Sequence, residues 1–235
     1  MSVATRPAVE NEIRVLDHGF VRLDGTMASD LSVVNAARVS FARRKEAMDE
    51  SDEGLVRFLM RDRHGTPFEH NAFRFHVRAP LFVAREWFRH RVGSFNEFSM
   101  RYARATDDFY VPEAEDVRTQ VGKPGAYSFD PVDPELAETT RQELQAVYEA
   151  AYATYERLVE AGVARELARC AIPMGAYTEF YWTVNARSLM NFVSLRAAET
   201  AQREIRRYAA ACEELFAEHM PVTHAAFVAN GRVAP

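Results

Sequence analysis

The sequence predicts an α+β chain, on three observations. Ile13 to Leu16 and Phe20 to Leu23 each have the makings of a short strand, and Asp17-His18-Gly19 between them favours a tight turn. Phe73, Phe75 and Val77 alternate with Arg74, His76 and Arg78, the period of a half-buried strand. Asp133-Pro134 then caps and starts a long helix, in which Leu144, Val147, Tyr148, Ala151, Tyr152, Tyr155, Leu158 and Val159 keep three-and-four spacing until Gly162.

The other elements follow in chain order. Residues 1–12 are polar and read as a frayed extension, leaving 13–235 as a single domain. Asp30 has the character of an N-cap for a helix carrying Leu31, Val34, Ala37 and Arg38. A charged connection from Arg43 to Glu53 leads to a helix marked by Leu55, Phe58 and Leu59. That helix runs out at His64-Gly65-Thr66-Pro67, where glycine permits the left-handed conformation and proline forbids continuation. Ala79-Pro80 begins a helix through Leu81, Ala84, Arg85 and Phe88, with Gly93 as its natural C-terminal cap. Asp107 to Asp133 reads as a long irregular excursion. Arg165 to Cys170 forms a short helix halted by Ile172-Pro173. Ala176 to Val184 is a strand leading to Asn185, a candidate N-cap. The apolar helix behind it is interrupted by Arg187, Asn191 and Arg196, which need partners from a neighbouring carboxylate or from a bound ligand. Ala201 to Met220 is amphipathic, with Ile205, Tyr208, Ala209, Cys212 and Leu215 inward, and a small helix closes the chain before Gly231.

A chain of 235 residues, 48% of them hydrophobic, can bury a full core. Its net charge of -5 argues against a general grip on nucleic acid but leaves room for a local basic pocket that holds a small anion. Cys170 and Cys212 lack metal-ligand spacing and suggest reduced thiols in a cytosolic protein. No apolar run reaches the length of a membrane span and no signal-peptide pattern opens the chain, so a cytoplasmic location away from membranes is expected. Neither standard phosphate loop is present, nor a zinc motif, nor a hydrolase nucleophile elbow. Phosphate would have to be held by arginines, and redox chemistry by an organic cofactor.

The most unusual stretch is Arg89-His90-Arg91-Val92-Gly93-Ser94-Phe95-Asn96-Glu97-Phe98-Ser99-Met100-Arg101-Tyr102. Arginine offers a rigid fork of donors for carboxylate and phosphate, and Asn96, Glu97 and Ser99 could hold a base, a ribose or a flavin ring. Arg89, His90 and Arg91 fall in the last turn of the preceding helix, where they could instead simply complement its dipole.

The stretch fits R-H-R-x-x-S-x-N-E-x-S-x-R-Y at every fixed position and resembles the signature of the flavin-dependent thymidylate synthases, the thymidylate synthase-complementing family. Further segments resemble the same family: Ala36 to Phe41, His64 to His70, Phe82 to Arg85, Trp182 to Phe192 and Leu195-Arg196-Ala197. Matched blocks run from about residue 13 to about 210. The resemblance implies a mainly antiparallel sheet flanked by long helices. It implies reductive methylation of dUMP to dTMP, with methylenetetrahydrofolate as one-carbon donor, FAD as the hydride carrier and NADPH as its reductant. It also implies a homotetramer with active sites shared between subunits.

The resemblance assigns Arg89 to both nucleotide and flavin, and His90, Arg91, Thr66, Asn185, Ala186, Arg187, Asn191 and Leu195 to FAD. Glu97, Phe98, Ser99, Met100 and Arg101 match the dUMP cradle supplied by a neighbouring subunit, with Glu97 also near the flavin. Arg169 matches a dUMP contact, and His64 the histidine near which the folate ring stacks. Arg196 matches the catalytic arginine set against the uracil, and a bound ligand would supply the partners that its helix lacks. Ser99 reads as a binding hydroxyl, because no His-Asp pair is spaced to activate it, and neither cysteine lies in a motif suited to attack on a pyrimidine.

Two positions depart from the family pattern. Glu86, a candidate dUMP contact, stands where many members carry glutamine, and a carboxylate there needs Arg89 or His90 beside it. Thr200 stands where several carry histidine. The rival readings are a flavin- and nucleotide-binding protein of the same fold with altered activity, and an RNA-binding module using Arg89, Arg91, Arg101, Phe95 and Tyr102.

Overall fold

The computed structural model describes residues 10–123 and 125–235. Most of the polar extension expected at 1–12 lies outside the described residues, and at its end Glu12 is already in a strand. Strand β1 (Glu12–Val15) turns back into β2 (Gly19–Met27), with Ile13 opposite Val21 and Val15 opposite Gly19. Leu16, read as strand, is instead in the turn with φ 59°. A Cβ on Gly19 would fall 2.0 Å from Tyr208 Oη and 2.5 Å from the Val15 carbonyl oxygen, so the hairpin can close against the core only with glycine there.

Three helices follow: α1 (Asp30–Arg38), α2 (Glu50–Arg61) and the single turn α3 (Thr66–Glu69). Asp49 caps α2 in a capping box with Asp52. On α2 it is Val56, Leu59 and Met60 that turn inward, while Phe58, read as part of the apolar face, is exposed and rests beside His64. The left-handed residue after α2 is Arg63 (φ 58°), not Gly65, which instead lets Arg187 approach closely: a Cβ on Gly65 would lie 2.5 Å from Arg187 Nε.

Strand β3 (Ala72–Pro80) runs straight into α4 (Leu81–Trp87), and the chain then returns as β4 (Ser94–Glu97). A 3-10 turn at Ala114–Asp116 precedes a separate hairpin, β5 (Arg118–Lys123) and β6 (Ala126–Pro131). The region 107–133 is therefore not an irregular excursion. Both faces of its hairpin are largely exposed, so no apolar alternation announces the strands. Arg118 ties the hairpin's base to buried Glu204, with both guanidinium–carboxylate contacts at 3.2 Å.

The remaining elements are α5 (Pro134–Glu160), α6 (Arg165–Ala168), β7 (Tyr177–Asn185), α7 (Ala186–Arg196), α8 (Arg203–His219) and α9 (Pro221–Ala229). Asp133 caps α5 and Asn185 caps α7 as the sequence predicts, and the inward residues expected on α8 are all buried. The five-stranded sheet has the order β1-β2-β3-β7-β4, every pair antiparallel, with helices packed around it. This is the α+β class expected. Phe73, Phe75 and Val77 of β3 and Phe180, Trp182 and Val184 of β7 form one buried face. The opposite face of the same strands carries Arg74, His76, Arg78, Glu179 and Tyr181. Among the described residues no helix is long and apolar enough to cross a membrane, and no cluster of three or more His, Cys, Asp or Glu could hold a metal ion.

Asp30 corrects one expectation. The N-cap of α1 is Ser29, whose Oγ accepts from the Ser32 amide at 3.1 Å. Asp30 is buried and reaches across the fold to the start of α9, where it accepts from the amides of Val222 (2.9 Å) and Thr223 (2.8 Å) and from the Thr223 hydroxyl (2.5 Å). Pro221 opens α9 without a side chain able to cap it, and the carboxylate from α1 fills that role. Asp30→Ala orphans these donors and should lower the unfolding free energy by about 2–3 kcal/mol. Urea unfolding with an unchanged m-value would measure that loss.

Candidate active site

Helix α4 ends one turn earlier than its arginines suggest. Its last residue is Trp87, the Arg89 and His90 amides bond back to Glu86 and Trp87, and Arg91 has left the helix. Gly93 is not a left-handed cap. A Cβ there would lie 2.8 Å from Trp182 Nε1 and 2.9 Å from the Thr183 carbonyl oxygen, so glycine lets the chain press onto β7. From that contact β4 pairs with β7, Ser94 opposite Thr183 and Glu97 opposite Phe180. The signature stretch is thus a helix end followed by an edge strand.

The residues just after α4 and one side of α7 enclose a cavity of about 660 Å³. Its walls bring together Arg89, His90, Arg91, Arg187, Asn191, Leu195 and Arg196, all singled out from the sequence. Four arginines against one acidic side chain, Glu69, make the cavity cationic within an acidic chain. The first turn of α7 opens onto it through Arg187 and Ser188, which adds the positive end of the helix dipole.

Arg196 does not lack partners, and the expectation that a ligand must supply them is corrected. Its Nε donates to His90 Nε2 at 2.9 Å, one terminal nitrogen to Glu86 Oε2 at 3.1 Å, and the other to the Glu86 carbonyl oxygen at 3.2 Å. The cation that compensates Glu86 is therefore Arg196 on α7, not Arg89 just beyond the end of α4. Burial pushes the Glu86 carboxyl above its ordinary value, Arg196 pulls it part of the way back, and the charge on Glu204 adds to the rise. Burial and then the Arg196 cation press His90 from 6.5 down to about 4. His90 is therefore neutral at physiological pH. With Nε2 accepting from arginine, its proton sits on Nδ1.

Arg187 is held by Glu69 at 2.5 Å and donates through Nε to the Pro235 carbonyl oxygen at 2.7 Å. Glu69, Val92, Ser188, Ala234 and Pro235 line the cavity without having been singled out from the sequence. Glu69 and Ser188 do fall inside quoted blocks, but Ala234 and Pro235 arrive by tertiary packing and leave no local signal. Asn185 and Ala186 do not line the cavity: Asn185 caps α7 by accepting from the Ser188 amide, and buried Ala186 donates its amide to the Asn71 carbonyl oxygen. His64 and Thr66 open onto a separate pocket of about 380 Å³ with Ser40 and His70. Thr200 is exposed in the connection between α7 and α8.

The rest of the signature faces elsewhere. Glu97, Phe98, Ser99, Met100, Arg101 and Arg169 are absent from the cavity walls. Glu97 accepts from the Thr178 hydroxyl at 2.8 Å, Arg101 lies 3.9 Å from Glu166, and Arg169 donates to the Glu166 carbonyl oxygen. Arg165 donates to the Tyr102 carbonyl oxygen at 3.0 Å, which docks α6 beside the end of the stretch. Arg169 therefore lies with Ser99 to Arg101, apart from Arg187 and Arg196. Cys170 is exposed, whereas Cys212 is fully buried and its thiol is pushed well above its ordinary value by that burial.

The His90 shift gives a signed stability prediction. Unfolded His90 takes up a proton near pH 6.5 and folded His90 only near 4, so its contribution is fully present above 6.5 and is lost as the pH falls towards 4. Melting temperatures of the protein and of His90→Asn, measured from pH 7 to 4, should differ in slope in that window, with the variant falling less steeply. Parallel curves would show that His90 titrates normally.

The fold and cavity can be set beside known proteins. The family model described as thymidylate synthase complementing protein matches residues 22–222. The flavin-dependent thymidylate synthase of Thermosipho africanus is 47% identical over 217 residues, covering 92% of this chain and 94% of its own. That of Streptomyces coelicolor is 45% identical over 243 residues, covering 97% and 98%. Among solved structures, the UMP/dUMP methylase PolB from Streptomyces cacaoi bound with 5-Br UMP superposes with a TM-score of 0.87 at 43% identity, covering 95% of this chain and all of its own. With the family model spanning most of the chain and relatives this similar over nearly their whole length, the chain belongs to the thymidylate synthase complementing family, the flavin-dependent thymidylate synthases.

Proposed function

We propose that this chain converts dUMP to dTMP, taking the one-carbon unit from methylenetetrahydrofolate and the hydride from FAD that NADPH has reduced. The observation that carries this reading is the arginine-lined cavity in which Arg196 is held at a fixed angle by Glu86 and His90. The donor set suits both ligands. Arg89, Arg91 and Arg187 offer forked donors for phosphate and pyrophosphate oxygens, and the Asn191 amide offers a donor and an acceptor for a flavin edge. When bound, the reduced flavin supplies the hydride.

The protein's part is binding and electrostatics. Arg196 carries positive charge to where the uracil ring becomes electron-rich, which makes C5 the nucleophile without an enzyme thiol or hydroxyl. The methylene carbon bonds to C5 as its two bonds to the folate nitrogens break, the C5 proton leaves, and the transferred hydride completes the methyl group; tetrahydrofolate departs with its nitrogens protonated, one proton balancing that lost from C5 and one that released with the hydride. Neutral His90 leaves its Nδ1 proton as a donor. In this reading Leu195 lines the flavin site, Asn185 and Ala186 support it from the start of α7 without reaching its walls, and Thr66 and His64 serve the flavin and folate from the adjoining pocket that they share.

Glu97 to Arg101 with Arg169 form the dUMP cradle for another subunit's cavity. The exposure of Glu97, Phe98, Arg101 and Arg169 and the separation of the whole group from this chain's own cavity favour that division. A homotetramer with shared sites then completes each centre.

Anaerobic turnover with dUMP, methylenetetrahydrofolate, FAD and NADPH, with the product identified, tests the reading directly; NADPH oxidation without dTMP would overturn it. UMP should be assayed in parallel, because the similar methylase has been solved with both 5-Br UMP and 5-Br dUMP. Arg196→Ala should lower the rate of dTMP formation roughly 100- to 1,000-fold while the protein stays yellow. Arg89→Ala should weaken FAD and dUMP together in calorimetric titrations, and loss of only one would remove its double role.

A further inference from the structure

We propose that residues 232–235 form a positioning strap for FAD, which acts through Arg187 by holding its guanidinium with a main-chain oxygen. The inference rests on the FAD role read for Arg187 above. Three groups fix that guanidinium. Its Nε donates to the Pro235 carbonyl oxygen at 2.7 Å, and a terminal nitrogen donates to Glu69 Oε1 at 2.5 Å. The Gly65 backbone packs so close that a Cβ there would lie 2.5 Å from the same Nε. Two of the five N–H donors are thereby used, and three remain. Arg187 and Pro235 both line the cavity, so the remaining donors are held at its wall before a ligand arrives.

The two acceptors differ in kind. Glu69 offsets the arginine's charge, whereas the neutral Pro235 carbonyl fixes its direction and leaves the charge for an anion. The Arg187 side chain is 45% exposed, and a long side chain that open would otherwise lose rotamer freedom when the ligand binds. The strap itself is firmly built. Helix α9 ends at Ala229, and Gly231 (φ 68°) and Arg232 (φ 55°) are both left-handed, which reverses the chain after the helix. The Arg232 amide bonds to the Phe227 carbonyl oxygen at 2.9 Å, and Asn230 Nδ2 donates to the Val233 carbonyl oxygen at 3.0 Å. Arg232 Nε donates to Glu213 of α8 at 3.0 Å. Ala234 then packs on the main core, and Pro235 is buried.

Calorimetric titration with FAD tests this on five proteins: the full chain, a chain stopped after Gly231, Pro235→Ala, Arg187→Ala, and the stopped chain carrying Arg187→Ala. Stopping the chain should raise the Kd for FAD about 10-fold. Pro235→Ala keeps the main-chain oxygen and should retain most of the full chain's affinity. In the Arg187→Ala background, stopping the chain should change the Kd no more than about twofold, because the strap acts through the arginine. Equal affinity with and without the strap, the same loss persisting without Arg187, or a loss in Pro235→Ala as large as in the stopped chain would each overturn the proposal. Should the stopped chain fail to fold, the full chain decides. Its Arg187 Nε–H resonance should resist solvent exchange before FAD is added, and rapid exchange would overturn the hold. A full chain that binds no FAD removes the functional reading and this inference together, whereas FAD binding indifferent to the strap removes only the inference.

Discussion

The site depends on one aromatic junction. Trp87 from α4, Trp182 from β7 and Phe192 from α7 meet with ring centroids 4.6 to 5.3 Å apart, all fully buried. Much of the cavity is attached to that junction. Glu86 lies one residue before Trp87 and His90 three after it, Gly93 presses against Trp182, and Asn191 and Arg196 flank Phe192 along α7. The junction gains dispersion and burial at the expense of hydrogen bonding, since neither indole Nε1 finds an acceptor among the described residues. Each such orphan costs about 1–3 kcal/mol, and burying rings of this size offsets it.

Charge is organised around the same point. Four arginines facing one space repel each other, and a net charge of -5 on the chain does nothing to relieve that locally. Relief comes pairwise: Glu86 meets Arg196 and Glu69 meets Arg187. Arg89 and Arg91 are exposed, and water and salt can screen them. The cavity is therefore a place where two cations are aimed by the protein and two remain adjustable, an arrangement suited to an anionic ligand entering from solvent.

The fold also separates two groups of polar residues that are adjacent in sequence. Arg89 to Arg91 belong to the cavity, whereas Ser99 to Arg101 lie by α6 with Arg165, Glu166 and Arg169. Strand β4 is the spacer. By pairing with β7 it carries the chain along the sheet edge and away from the cavity. One stretch of fourteen residues thereby presents two surfaces, which is the geometry required if one chain is to serve two sites.

The sequence by itself determined the α+β class, the strands with a buried face, the long capped helices and most of the cavity-lining residues. Each of these leaves a local imprint: alternation in β3, three-and-four spacing in α5 and α8, Asp133 and Asn185 as caps, and a signature of rare polar residues. Tertiary structure alone decided the rest. The β5–β6 hairpin was hidden because its strands are exposed on both sides and show no period. Asp30 was read as the cap of its own helix, but its carboxylate serves a helix that begins 191 residues later. Gly65 and Gly93 were read as conformational breaks, whereas each permits a close approach by a distant residue. Glu86 and Arg196 are 110 positions apart, and no spacing rule pairs them. Local patterns record what a residue does to its own backbone; partners brought together by packing exist only once the core has closed.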